Sequence, residues 1–144
     1  LAAGRGLLPE WWNAAQVMRD ADDYHYLPLA WQITPALQTM PLPENDFPLR
    51  ADIAYYQAPR LAASQMRDAY AQLQGANFAT LYAATSMHED FAESFASYVH
   101  AIMLQQPHRI RIFHDSTLLL QFDGYWEAGR SAAKRRLLEQ LLGS

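Results

Sequence analysis

The sequence predicts a mainly helical α+β fold with one β-hairpin. Three observations lead there. Segments 60–74, 87–105 and 126–142 repeat apolar residues every three or four positions, the period of an amphipathic helix. Between the second and third, Arg109-Ile110-Arg111-Ile112-Phe113 alternates with period two. His114-Asp115-Ser116 then separates it from a second apolar run, Thr117–Phe122, which is a hairpin pattern.

The elements follow in order. Over 9–26, Pro9 suits a first helical turn, and Trp11, Trp12, Ala15 and Met18 follow at roughly helical spacing. Asp20, Asp22 and Asp23 interrupt that pattern. Residues 27–59 hold six of the eight prolines. Proline removes a backbone donor and turns its predecessor away from helix, so a long connecting loop is expected. Its aromatics Trp31, Phe47, Tyr55 and Tyr56 predict that it packs on the body, and a long packed loop is a candidate groove wall. The hairpin is a second candidate wall.

In 60–74, Met66, Ala69, Tyr70 and Leu73 share a face and Gly75 stops the helix. In 87–105, Phe91, Phe95, Tyr98, Val99, Ile102 and Met103 form the apolar stripe, and Pro107 closes it. Gly124 separates the hairpin from the last helix.

Composition narrows the function. With 144 residues, 51% hydrophobic and 18% charged, the chain suits one domain, or a subdomain of a larger one, and not a disordered tail. The absence of cysteine excludes disulfides, a thiol nucleophile and cysteine-bearing metal sites. A net charge of −4 argues against a phosphate-backbone binder, so no nucleic-acid partner is expected. No run of 18 apolar residues predicts a membrane span, and the first nine residues lack the apolar core of a signal peptide. Arg130, Lys134, Arg135 and Arg136 give the last helix a local basic excess. That reads as a solvated face near the helix end, with an anionic partner as the alternative.

The stretch Tyr82–Ala96 carries the chemistry. At about 100° per residue, Glu93 lies about 40° and His100 about 20° round from Glu89, on a side with small Ala92 and Ala96. Such a face lets another backbone or an ion approach closely. Ser86-x-x-Glu89 before an apolar run is also a capping box, so Glu89 reads either as a cap partner or as a functional carboxylate.

The segment Tyr82, Glu89, Phe91-Ala92-Glu93 resembles the third-ligand helix of gluzincin-type zinc metallopeptidases. The likeness is to their lethal-factor-like and Pro-Pro-endopeptidase-like branches and to bacterial zinc peptidases with a Glu-Asp-Phe-Ala-Glu signature. It covers about fifteen residues. It implies that the chain is the C-terminal part of a zincin-like domain and that its substrate is a protein or peptide. By the resemblance, Glu89 is the third Zn2+ ligand and Tyr82 stabilises the oxyanion. Glu93 accepts a hydrogen bond from a ligating histidine. His88, beside Glu89, reads either as an exposed first-turn residue or as a residue lining the site. A bacterial, soluble protein of the cytoplasm or cell envelope is then expected.

Such enzymes take their other ligands and general base from His-Glu-x-x-His. The histidines here are His25, His88, His100, His108 and His114, and no pair has that spacing. His25, His100, His108 and His114 read as packing, surface or turn residues. A chain that starts at Leu1 and not Met fits an expectation that the motif lies upstream, and that this portion alone is inactive. The alternative is a non-catalytic helical interaction domain, or an inactive relative of the peptidases.

Overall fold

A computed structural model of the chain describes residues 6–8, 22 and 24–143. Most of the helix expected over 9–26 lies outside the described residues. The rest is a mixed α+β fold, as expected, with three α-helices and two antiparallel two-stranded sheets among the described residues.

The proline-rich segment differs from the expected loop. It contains a second hairpin, β1 (Trp31–Ile33) paired with β2 (Thr39–Pro41), in the register Trp31 opposite Pro41. Pro41 lacks only a donor, which a strand end tolerates. Short 3-10 turns over Leu27–Leu29, Pro43–Asn45 and Arg50–Asp52 carry the chain onward. Two of them begin with or contain proline early, where no backbone donor is needed. Trp31 and Phe47 are buried, so the segment packs on the body. Hydrogen bonds fix it there, among them the Leu49 amide to Gln72 Oε1 at 3.0 Å and Arg50 Nη1 to Ala84 O at 3.4 Å.

Helix α1 spans Met66–Leu73 after a 3-10 turn at Ala63–Gln65. Its predicted face is correct: Ala69 and Leu73 are buried, and Met66 and Tyr70 pack beside them. They join Leu27, Trp31, Phe78, Leu81, Ala84 and Met87 in the larger core. Helix α2 spans Met87–Tyr98 and winds into a wider π turn over Val99–Met103.

The buried face of α2 departs from expectation. Met87, Asp90, Ser94, Ser97 and Tyr98 point inward, whereas Phe95 and Met103, placed on the apolar stripe, are exposed. The physical reason is a set of donors meeting that face. Trp31 Nε1 donates to Asp90 Oδ2 at 2.9 Å, the Tyr26 hydroxyl donates to Ser94 Oγ at 2.8 Å, and Trp126 Nε1 donates to Ser97 Oγ at 3.2 Å. Buried polar groups persist where they are hydrogen-bonded.

Strands β3 (Arg109–His114) and β4 (Thr117–Asp123) form the predicted hairpin, with a register shift between Ile112 and Phe113. Its tip residues Phe113, Leu118 and Leu119 are exposed. After Gly124 in the left-handed region, two 3-10 turns lead into α3, Ala132–Leu142. Tyr125, Trp126 and Leu138 pack with Ala79 and Tyr98 in a second core.

The basic residues of α3 and of the turn before it correct the solvated-face reading. Lys134 is fully buried against Asp90. Arg130 Nη1 donates to Leu73 O and Ala76 O, at 2.9 and 3.0 Å, where α1 ends. Arg135 pairs with Glu139 and donates to Trp126 O. Of the four, only Arg136 is exposed. No helix among the described residues is long and apolar enough to cross a membrane.

Candidate active site

Helix α2 begins where the sequence places it. Ser86 is extended and its hydroxyl accepts the Glu89 amide at 3.2 Å, a side-chain N-cap. Directly before it, Thr80 to Thr85 form a tight turn that presents Tyr82. The Thr80 hydroxyl is its pivot. It accepts the Ala83 amide at 3.0 Å and donates to Glu93 Oε2 at 2.8 Å.

This arrangement brings Tyr82 and Glu89 together. Both line a cleft of about 320 Å3 whose other walls are Ile53, Tyr55, Tyr56, Gln57, Thr85 and Ser86. Hydrogen bonding to the Glu89 carboxylate, then partial burial and the neighbouring Tyr56 phenol, raise the Tyr82 pKa well above that of a free phenol. Tyr82 therefore remains a protonated donor at all ordinary pH values. The Tyr55 ring packs edge-on against it, with centroids 4.7 Å apart. Burial, then Tyr70 and Glu93, push the Tyr55 phenol upward as well.

The capping-box alternatives thus separate. Ser86 is the cap, while the Glu89 side chain faces the cleft and Tyr82. Consecutive positions on α2 explain how. Residues 89 and 90 differ by about 100° round the helix, so Asp90 turns into the core and Glu89 turns out. Glu93, one turn on, is half-buried and held by Thr80. One hydrogen bond leaves a carboxylate further acceptor capacity. His88 is half-buried but does not line this cleft.

The groove-wall expectation divides. Residues 53–57 of the proline-rich segment do overhang Tyr82 and Glu89. The β3–β4 hairpin does not reach this cleft. Its base borders a separate polar hollow of about 430 Å3, with His108, Arg109, Asp123 and Glu127 among the walls.

The other histidines lie away from Glu89's cleft. His108 packs near Tyr125, and burial, then His100, lower its pKa. His114 contacts Asp115 at the exposed hairpin turn. His100 is exposed on the π turn, and His25 Nε2 is buried without a hydrogen-bond partner. Among the described residues, no three His, Asp or Glu side chains gather to hold a metal.

Sequence reasoning missed the polar centre behind the site. Lys134 Nζ donates to both Asp90 oxygens and to Asn77 O. The ammonium also lies over the Phe78 ring, 5.1 Å from its centroid. Asn77 in turn accepts from the Tyr125 hydroxyl and donates its amide to Asn45 Oδ1. The signal was Asp90 on the same helix side as Ser94 and Ser97, where the apolar stripe is incomplete.

No protein-family model matches the chain, and neither the curated proteins nor the solved structures searched give a match.

Proposed function

We propose that the chain is the third-ligand portion of a zinc-dependent peptidase. It acts with a His-Glu-x-x-His segment that these 144 residues do not contain. One observation carries the reading: Tyr82 and Glu89 meet in an open cleft at the start of α2. A half-buried carboxylate beside a phenol is a fitting partial donor set. Glu89 would hold the zinc, and two further ligands must come from elsewhere. Zinc, when bound, supplies Lewis-acid polarisation of a carbonyl and activation of water.

The chain's own residues have defined tasks. Tyr82 keeps its proton and donates a hydrogen bond to the carbonyl oxygen of a peptide substrate as negative charge develops there. A pre-aimed donor of that kind is an effective electrostatic contribution. Glu93, clamped by Thr80, accepts from the ring N–H of a ligating histidine and so fixes its tautomer. Exposed Ala92 and Ala96 leave room beside Glu89 and Glu93 for the approaching segment. The overhanging 53–57 stretch bounds the substrate on one side.

The test is metal analysis of the complete protein, wild type against Glu89→Ala. Loss of zinc in the variant supports the reading; equal zinc content leaves Glu89 as a first-turn acid only. A second reading, a non-catalytic protein-interaction domain, is favoured by the exposed apolar residues Phe95, Met103, Leu104, Phe113, Leu118 and Leu119. It predicts that the gene upstream encodes no His-Glu-x-x-His.

A further inference from the structure

The peptide bond between Tyr82 and Ala83 is held at both of its polar groups. Its carbonyl, Tyr82 O, accepts from the Thr85 hydroxyl at 2.6 Å and from the Thr85 amide at 3.1 Å. Its amide, Ala83 N–H, donates to Thr80 Oγ1 at 3.0 Å. Ala83 is fully buried, so that amide depends on this acceptor. A planar peptide has no internal freedom. These bonds therefore set the backbone from which the Tyr82 side chain leaves.

The two threonines differ in reach. Thr85 binds within its own turn. Thr80 also donates to Glu93 Oε2 at 2.8 Å, 13 residues away on α2. A hydroxyl has one proton and two lone pairs, so Thr80 can serve Ala83 and Glu93 at once and has no second proton to give. A hydroxyl donating to a carboxylate forms a charge-assisted bond. Chained bonds polarise and strengthen one another by roughly 10–30% each. The Glu93 bond thus makes Thr80 Oγ1 a better acceptor for the Ala83 amide. Glu93 itself is not a wall of the cleft that Tyr82 shares with Glu89.

We propose that Thr80 is a positioning residue that couples Glu93 to Tyr82: its hydroxyl, shared between the Glu93 carboxylate and the peptide after Tyr82, carries a change at one to the other. The proposal rests on the reading of Tyr82 and Glu93 as site residues. On that reading one hydroxyl sets both the acceptor for a ligating histidine and the donor for the substrate carbonyl. Docking of the histidine segment on Glu93 then also adjusts Tyr82.

The experiment uses the full chain, 15N-labelled and with 13C-labelled tyrosine, and reads the Ala83 amide and the Tyr82 ring by NMR. Glu93→Ala should move the Ala83 amide proton upfield, as its acceptor weakens, and shift the Tyr82 ring signals. Thr80→Val keeps the shape and loses both bonds. In that background Glu93→Ala should lose most of its effect on Tyr82. Thr80→Ser keeps the hydroxyl and should restore the wild-type response. An unmoved Ala83 amide in Glu93→Ala overturns the proposal, and this arm stands even where Thr80→Val fails to fold. An equal Tyr82 shift with Val at position 80 overturns it too, since the effect would then pass through Tyr55, whose ring packs on Tyr82. Neither readout depends on zinc, so retention of zinc by Glu89→Ala sinks the peptidase reading separately.

Discussion

Lys134 and Asp90 form an ion pair in which both side chains are fully buried, with Nζ 2.6 and 2.8 Å from the two carboxylate oxygens. The pair joins α3 to α2 one residue after Glu89. Burial pushes the Asp90 carboxyl up and the Lys134 ammonium down, and each partner opposes the other's shift. Such a pair adds little net stability against an apolar replacement, but losing one member strands the other. Its service here is orientation: with Asp90 fixed inward, Glu89 has only the cleft side to occupy.

Lys134→Ala and Asp90→Ala should therefore each cost about 3–5 kcal/mol in urea unfolding. The double change Asp90→Leu with Lys134→Met should recover most of that loss. Simple addition of the single costs in the double variant would contradict the pairing.

Ser86 and Glu89 should separate in stability. Ser86→Ala loses the N-cap of α2 and should cost about 1 kcal/mol. Glu89→Gln keeps the shape and gives up only a first-turn charge, about 0.3–1 kcal/mol. Chemical denaturation of both variants decides; a larger loss for Glu89→Gln than for Ser86→Ala would make Glu89 the structural member.

Alkali should unfold the chain before the cleft is affected. Burial, then the Asp90 charge, hold the Tyr26 and Tyr125 pKa values well above that of a free phenol. A phenol raised in the folded state contributes stability that is fully present below the unfolded pKa of about 10. That contribution falls as pH rises from there toward the folded value. Urea midpoints should hold up to about pH 10 and drop above it, less steeply in Tyr26→Phe. A midpoint independent of pH above that value would refute the assignment.

Arg130 bears on a different expectation. Its guanidinium donates to the Leu73 and Ala76 carbonyls where α1 ends and to Gln74 Oε1 at 3.1 Å. Arg130→Ala should cost about 1.5–3 kcal/mol, the worth of hydrogen bonds to a charged group. It should leave retention on an anionic resin little changed. Strong loss of retention with unchanged stability would revive the anionic-partner reading.

Much of this fold is legible in the sequence, and the reasons for the rest are physical. Helix α1, the β3–β4 hairpin and α3 follow from apolar spacing, but the spacing does not show that Lys134 of α3 is buried on Asp90. Helix α2 defeats that rule, since its inward face carries Asp90, Ser94 and Ser97 while Phe95 faces out. Only tertiary partners, Lys134, Tyr26, Trp31 and Trp126, make that inversion favourable, and none is near in sequence. The β1–β2 hairpin was hidden by its prolines, one of which ends a strand without breaking its pairing. The Ser86 cap and Glu89 are readable from local spacing, whereas Tyr82 enters only through the family resemblance. The Tyr55–Tyr56 overhang was readable only as aromatic content in a long loop; its partner Tyr82 lies 26 residues beyond Tyr56.

The central claim is that Glu89 is a zinc ligand beside Tyr82. The most direct measurement is the zinc-to-protein ratio of the complete protein, purified without added chelator, for wild type and Glu89→Ala. The account predicts about one zinc per wild-type chain and a 10-fold or greater loss in the variant, consistent with removal of one of three protein ligands. Equal zinc in the two proteins, or none in the folded wild type, would contradict it.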